Sequence, residues 1–283
     1  MREFYYALWT NPLLLYAILA GIAASIVGGI IGSYVVVKRI SFISGSISHS
    51  ILAGIGFFLW LDRTKGIDWV SPLQGAFIAG IFSACTIGWI HQRWRQREDS
   101  VIAAVWSIGM AIGILFISQT PGFNVELTNF LIGNLLWVSS GDLWSLISLD
   151  TLVIATVLLL HQKILAICFD EQQARLQGLA VHRLYLLLLS LIATTVVLLM
   201  QVVGIILVMT MLTLPPTIAN LFTSHLPKMM TISVLISSLF CFVGTFLAFH
   251  FDLPTGATIA LVAGMAYAAV LCWKGKKEVK RGI

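Results

Sequence analysis

The chain has 283 residues, of which 59% are hydrophobic and 10% are charged, and its formal net charge is +5. A typical soluble domain carries about 25% charged residues, and a water-soluble fold cannot bury this much apolar surface. The composition therefore excludes a soluble enzyme, a nucleic-acid-binding domain and a disordered chain. The long, unalternating apolar runs predict an all-α integral membrane protein rather than a transmembrane barrel.

A membrane-spanning helix needs about 20 apolar residues. The segments that meet this requirement are 13–37, 42–61, 70–90, 101–118, 146–162, 184–203, 205–224, 229–250 and 257–273. They predict a polytopic bundle of nine spans, with eight as the alternative. The two weakest spans are 42–61, which begins among serines, and 205–224, which contains Pro215 and Pro216. We expect residues 1–283 to form a single transmembrane domain.

The distribution of basic residues orients the predicted spans, because cytoplasmic loops are enriched in Lys and Arg. With the loop after 13–37 inside, Arg2, Arg63 and Lys65 are the only ones of the 17 basic residues outside. The N-terminus is then external and the C-terminus cytoplasmic. This orientation requires that 123–145 not cross the membrane, so we expect an amphipathic or re-entrant helix there, on the outer side.

The start of the second span combines an imidazole with several hydroxyl groups. Ser44, Ser46 and Ser48 precede His49 in sequence, and Gly45 lies one turn before it. Polar groups are costly in lipid, so this segment is a candidate lining of a cation pathway, with His49 as the candidate metal ligand. The alternative is helix packing, in which small residues allow close approach and hydroxyl groups bond to carbonyls.

Two further segments carry functional hypotheses. Residues 170–178 predict a short cytoplasmic helix, with Asp170 as its N-cap, Gln173 completing a capping box and Gly178 ending it in the left-handed conformation. Such a helix is either a solvated connector or a docking element for a cytoplasmic partner. Pro215 and Pro216 predict a break in the seventh span, of the kind that membrane pathways use.

In order along the chain, these segments resemble the permease subunits of bacterial ABC importers for zinc, manganese or iron. The motifs that carry the resemblance are Val36–Phe42 with Ser48-His49, Glu98-Asp99, Phe130–Asn134, Phe169–Glu171 with Ala174 and Gly178, Val203–Pro215, and Pro254–Gly256. Each motif alone is weak. Their order, spacing and agreement with the charge-derived topology make the match specific.

The resemblance implies a multi-pass subunit in the bacterial plasma membrane that imports a divalent metal ion. It implies three partners: a dimer of cytoplasmic ABC ATPases, an extracytoplasmic metal-binding protein, and a second permease chain, identical or not. Asp170, Glu171, Ala174, Arg175 and Gly178 would then couple to the ATPase. No GxxxxGK[ST] motif occurs in the chain, so ATP hydrolysis is expected in the partner chain. We expect no permanently bound cofactor.

The chain departs from the family pattern at two positions. The family usually has an Asp four residues before the His, where this chain has Gly45, and Asn220 replaces an Arg that often follows the Pro motif. Only His49 is therefore carried over as a metal ligand. A weaker site, an acid from a second permease, or another substrate would each fit this departure. The rival functions are a channel without ATPase partners and an intramembrane enzyme using His49 and the serines.

Overall fold

The computed structural model describes residues 10–67, 69–94, 98–122, 133, 135 and 138–281. Within these ranges the chain forms α-helices connected by short loops. They are α1 Pro12–Val37, α2 Ser41–Lys65, α3 Pro72–Trp94, α4 Glu98–Ser118, α5 Ser140–Phe169, α6 Glu171–Leu176, α7 Val181–Phe222, α8 Leu226–Phe251 and α9 Thr255–Arg281. All of these except α6 are long and apolar enough to cross a membrane. The all-α membrane fold is therefore confirmed.

Local sequence signals explain where several helices begin and end. The Asn11 side chain accepts a hydrogen bond from the Leu13 amide, and Pro12 opens α1. Ser139 and Asp142 form a reciprocal capping box at the start of α5. Gly66 ends α2 with φ +63°, the left-handed conformation that favours glycine. These caps satisfy backbone groups where the chain leaves the apolar spans.

Each predicted span overlaps a helix or, for α7, one half of a helix, and several helices are longer than predicted. The fifth helix starts at Ser140 and runs to Phe169, so the predicted span 146–162 was too short at both ends. Residues 140–145 belong to this spanning helix rather than to a separate outer segment. Most of that predicted segment, 123–132, lies outside the described residues. The Ser139–Asp142 cap explains the earlier start of α5, because it allows a helix to begin among polar residues.

Both ends of α7 lie on one face of the bundle. Glu171, shortly before α7, pairs with Lys38 at the end of α1. The next helix, α8, runs antiparallel to α1, because Val234 lies beside Gly29 and Cys241 lies beside Gly21. The start of α8, and with it the end of α7, is therefore also at the level of Lys38. We call this side the basic face, and the side at Gly66 the opposite face.

The middle of α7 reaches the opposite face and turns back there. Gln201 donates a hydrogen bond of 3.0 Å to Asp142 at the start of α5, the end remote from the basic face. Three residues later Gly204 has the non-helical angles φ 77° and ψ 164°. Residues 181–203 thus cross the bundle once and 205–222 return. Within the described part of the chain, eight long apolar helices therefore make nine crossings, and α1 begins on the face opposite to the end of α9.

Glycines allow α1 to pack closely against the returning half of α7. A Cβ atom at position 32 would lie 2.6 Å from the Leu212 carbonyl oxygen and 2.8 Å from Pro216. Proline at 215 and 216 removes the amide partners of the carbonyls four residues earlier, on Met211 and Leu212. Nevertheless the backbone stays helical at both prolines. The predicted break at Pro215 and Pro216 is therefore wrong, and the chain breaks instead at Gly204, where glycine tolerates the positive φ.

Candidate ion pathway

His49 lies in the membrane-spanning part of α2, and its side chain is partly exposed. Its ring stacks on Trp106 of α4, with a centroid separation of 4.2 Å and an interplanar angle of 10°. The indole N–H of Trp106 points to the Met110 sulfur at 3.0 Å. The His49 Nδ1 atom is buried and has no hydrogen-bond partner. Because the ring as a whole is partly exposed, Nε2 rather than the buried Nδ1 is the nitrogen that can reach a metal ion or water.

The serine hydroxyl groups around His49 bond to backbone carbonyls. Ser44 donates to Ser41 and Ser48 donates to Ser44 within α2, at 2.7 and 2.8 Å. Ser46 donates to the Ile102 carbonyl of α4 at 2.9 Å. All three side chains are fully buried within the single chain. Of these three, Ser46 joins α2 to α4, whereas Ser44 and Ser48 bond within α2, an arrangement that fits the packing hypothesis.

Met209 fills the space that Gly45 leaves beside α2. A Cβ atom at position 45 would lie 2.8 Å from the Met209 Cε atom, and the Met209 sulfur is 3.7 Å from the Ser48 hydroxyl. Met209 belongs to the returning half of α7 and, like His49, is partly exposed. The side of α2 where the family acid would stand therefore carries a soft thioether instead of a carboxylate.

The returning half of α7 also presents a row of polar side chains within the membrane. Thr213 and Thr217 are partly exposed and Asn220 is exposed. Their spacing of four and three residues places them on the same helix face as Met209. The two threonine hydroxyl groups donate to carbonyls four residues earlier, each at 2.6 Å. This row continues from His49 and Met209 toward the basic face, and of its three residues only Asn220 was singled out from the sequence.

The described residues do not make a complete metal site. They contain no group of three or more His, Cys, Asp or Glu side chains that could hold a metal ion. A single imidazole and one thioether supply no charge to offset the dehydration of a divalent cation. The arrangement can offer a transient contact along a partly open face. Tight, permanent binding would need further ligands.

The short helix α6 has the cap that the sequence predicts. Asp170 Oδ1 accepts hydrogen bonds from the amides of Gln172 and Gln173, at 2.8 and 3.0 Å. Gly178 has φ +79° and follows the helix. The helix itself spans Glu171–Leu176, shorter than the predicted 170–178. The reciprocal half of the capping box is replaced, because the Asp170 amide donates to the Ala166 carbonyl.

Glu171 points toward the bundle, where it binds Lys38 of α1 at 2.6 Å. The same ammonium group donates to the Ile167 carbonyl at 2.8 Å and lies 5.9 Å from the centre of the Tyr185 ring. Lys38 therefore joins α1, α5, α6 and α7 at one point. Asp170 and Glu171 are both engaged within the chain, and Ala174 is buried beneath them.

The outward surface of α6 is apolar and basic. Leu176 is 89% exposed and Phe169, just before the helix, is 67% exposed. Arg175 lies beside them and is also exposed. Apolar side chains that protrude beside charged loops at the end of a membrane domain form a surface suited to a protein partner. Phe169 and Leu176 were not singled out as contacts from the sequence.

Residues 10–274 match the model of a family described as the ABC 3 transport family. The chain is 48% identical over 263 residues to a probable metal transport system membrane protein of Chlamydia trachomatis, covering 93% of this chain and 89% of that protein. It is 34% identical over 269 residues to the chelated iron transport system membrane protein YfeD of Yersinia pestis, covering 95% and 88%.

Among solved structures the fold is similar to PsaBC from Streptococcus pneumoniae in complex with Fab. The TM-score is 0.82 and the sequence identity is 26%, over 95% of this chain and 94% of the other. The similarity extends over nearly the whole of both chains, so it includes the helices that carry His49, Met209 and α6.

Proposed function

The chain belongs to the ABC 3 transport family, and on that premise we propose that it is the permease subunit of an ATP-driven importer for a divalent transition metal ion. The relatives are named as metal and chelated iron transport proteins, which supports this class of substrate. The observation that carries the pathway is the partly open row of His49, Met209, Thr213, Thr217 and Asn220. Polar groups in membrane spans face a pathway or a partner rather than lipid.

The proposed pathway needs a second permease chain. His49 supplies one borderline nitrogen ligand, and Met209 fills the place of the family carboxylate with a neutral sulfur. The ion would pass between the two chains, where His49 of each chain and bound water replace part of its hydration shell. Weak binding of this kind favours release, which import requires. A non-identical partner could contribute the acid that this chain lacks, and heteromeric assembly is therefore our preferred arrangement.

In the proposed orientation the basic face is cytoplasmic. Lys38, Lys163, Arg183 and Lys228 lie on or next to that face, in agreement with the enrichment of basic residues in cytoplasmic loops. The metal-binding protein would then deliver the ion at the opposite face, and the start of α1 would be external. The protein would reside in the bacterial plasma membrane.

The proposed ATPase contact is the outward surface of α6. Leu176 and Phe169 would insert into the ATPase, while Arg175 adds a charged rim contact. Asp170 and Glu171 would position the helix and would not themselves contact the partner. Gly178 lets the chain turn back into α7. Movement of α6 would reach α1 and α7 through Lys38.

Transport in proteoliposomes containing the complete transporter tests the pathway. We expect His49→Ala to lower ATP-dependent uptake of radiolabelled Mn²⁺, Zn²⁺ or Fe²⁺ by at least tenfold, because it removes the imidazole ligand from the proposed pathway. His250→Ala, an exposed histidine on α8 near the opposite face, is the matched control and should transport normally. The metal whose uptake falls identifies the substrate.

Gly45→Asp is the complementary variant, because it adds a metal ligand to the pathway instead of removing one. The Met209 methyl group, the flexible end of its side chain, can move aside for the new carboxylate. The variant should retain metal longer and release it more slowly, since a carboxylate adds Coulombic attraction in a low-dielectric pathway. Wild-type uptake in His49→Ala for all three metals would disprove this pathway. Uptake that persists without ATP would favour a channel.

A further inference from the structure

A groove of about 890 Å³ lies between α5 and α8 on the outer surface of the helix bundle. Its walls are apolar and include Ile154, Leu158, Val234 and Leu235, and Ile30 of α1 is also among its lining residues. Leu158 is 77% exposed and Leu235 is 70% exposed. The volume falls within the range of about 300–1,000 Å³ that small-molecule pockets occupy. The apolar part of the groove suits hydrocarbon chains.

One end of the groove is polar and basic. His161, Gln162 and Lys163 of α5 line it there, together with Thr231 of α8. The His161 Nδ1 atom is paired with the Tyr34 hydroxyl group at 2.8 Å. Lys163 is exposed, and no Asp or Glu is among the groove residues that the structure describes. This end therefore presents positive charge at the basic face.

The first turn of α8 adds donors at the same end. Pro227 lines the groove, and α8 starts at Leu226 without a side-chain cap, because His225 makes no capping hydrogen bond. Pro227 has no amide N–H, so the donors of this turn are the amides of Leu226 and Lys228, which attract an anion through the helix dipole. Lys228, also exposed, stands in this first turn. Lys163 thus lines the polar end of the apolar groove, and Lys228 lies next to it in the first turn of α8, one residue after the groove-lining Pro227.

The groove and the proposed pathway lie on opposite sides of α1. Gly28 and Gly32 face the returning half of α7, whereas Ile30 lines the groove. Two residues of separation rotate a helical side chain by about 200°. The second permease chain, expected at His49, would therefore leave the groove open to lipid.

We propose that this groove binds one anionic phospholipid from the leaflet at the basic face. The acyl chains lie between α5 and α8 on Ile30, and the phosphate group is bound by Lys163, Lys228 and the backbone amides of Leu226 and Lys228. The combination of an apolar channel with an acid-free basic end at headgroup depth selects an anionic lipid over a zwitterionic one. The bound lipid links α5 to α8 and contacts His161, which is bonded to α1.

Lipid titration of the purified complete transporter tests the proposal. Native mass spectrometry should show one phosphatidylglycerol retained per chain at concentrations where phosphatidylcholine is lost. Lys163→Ala should weaken phosphatidylglycerol binding about fivefold, since one lysine near a lipid headgroup contributes about 1 kcal/mol. Arg183→Ala, exposed on the same face but not among the groove residues, is the matched control and should bind like the wild type. Leu158→Trp should fill the groove and abolish retention.

Three results would overturn the proposal. Equal retention of phosphatidylcholine and phosphatidylglycerol would show that the groove makes only unselective contact with lipid. Wild-type affinity in both Lys163→Ala and Leu158→Trp would locate the bound lipid elsewhere. Dissociation of the two permease chains in Leu158→Trp would show that the groove is covered by the second copy. Because none of these measurements uses metal uptake, they are independent of the pathway experiments.

Discussion

The ion pair between Lys38 and Glu171 is predicted to hold the docking helix in register with the membrane helices. The perturbation is Glu171→Gln, which keeps the shape of the side chain and removes its charge. The side chains of Lys38 and Glu171 are 15% and 30% exposed, and their charged atoms are 2.6 Å apart. This is a partly buried contact, so solvent screens it less than a surface pair and more than a core pair.

The magnitude follows from the geometry. A hydrogen bond to a charged group contributes about 1.5–3 kcal/mol when well shielded, and exposed pairs contribute about 0.2–1 kcal/mol. For this intermediate case we expect a loss of about 1–2 kcal/mol in the free energy that holds α6 against α1. That loss changes the ratio of held to released helix by about 5–30-fold. Lys38→Met should lower the free energy that holds α6 by more than Glu171→Gln does, because it also removes the hydrogen bond to the Ile167 carbonyl.

The assay is the number of ions transported per ATP hydrolysed by the complete transporter. Glu171→Gln should insert normally and support ATP hydrolysis, while transport per ATP falls severalfold. Asp170→Asn should stay close to the wild type, because Asn caps a helix as well as Asp does. Arg183→Gln, exposed on the same face, controls for a general loss of charge.

A double-mutant cycle separates positioning from direct contact. The double variant of Lys38→Met and Glu171→Gln should transport as many ions per ATP as Lys38→Met alone. The coupling energy between the two side chains should then be about 1–2 kcal/mol. The reasoning is refuted if the two effects add independently and Asp170→Asn impairs coupling as much as Glu171→Gln. That pattern would mean that the acidic residues contact the ATPase directly.

Three further predictions concern docking, packing and topology. Leu176→Glu should abolish co-purification of the ATPase. Gln172→Glu, at a residue that is also exposed on α6, should leave co-purification unchanged. Equal ATPase binding by the two variants would show that the ATPase does not dock on Leu176. Gly32→Ala should lower the unfolding free energy by about 1–3 kcal/mol through overpacking against Leu212, whereas Gly264→Ala, with no atom within 4 Å of its Cβ position, should unfold like the wild type in a thermal assay. A reporter fused after Ile283 should be cytoplasmic and one inserted at Gly66 external; finding both on one side would contradict the reversal at Gly204.

Composition and charge by themselves determined the fold class and most of the spans. Apolar length fixes how many segments can cross a bilayer, and the division between 203 and 205 fell at the residue where the structure turns. The local cap at Asp170 and the left-handed Gly178 were also predictable, because capping depends on side chains only a few residues apart. The order of weak motifs gave the family, which the match over residues 10–274 confirms.

Only the tertiary structure decided which polar groups are engaged and which are open. The serines beside His49 bond to carbonyls, one of them on α4, and no local pattern specifies a partner 56 residues away. Pro215 and Pro216 predicted a break, but the backbone stays helical there, where Gly32 packs against Leu212 and Pro216, and the turn is at Gly204 beside Gly133. Glu171 looked like an exposed contact until Lys38, 133 residues earlier, was found bound to it. Such contacts form between helices distant in sequence, so packing of the whole bundle sets them and local propensity does not.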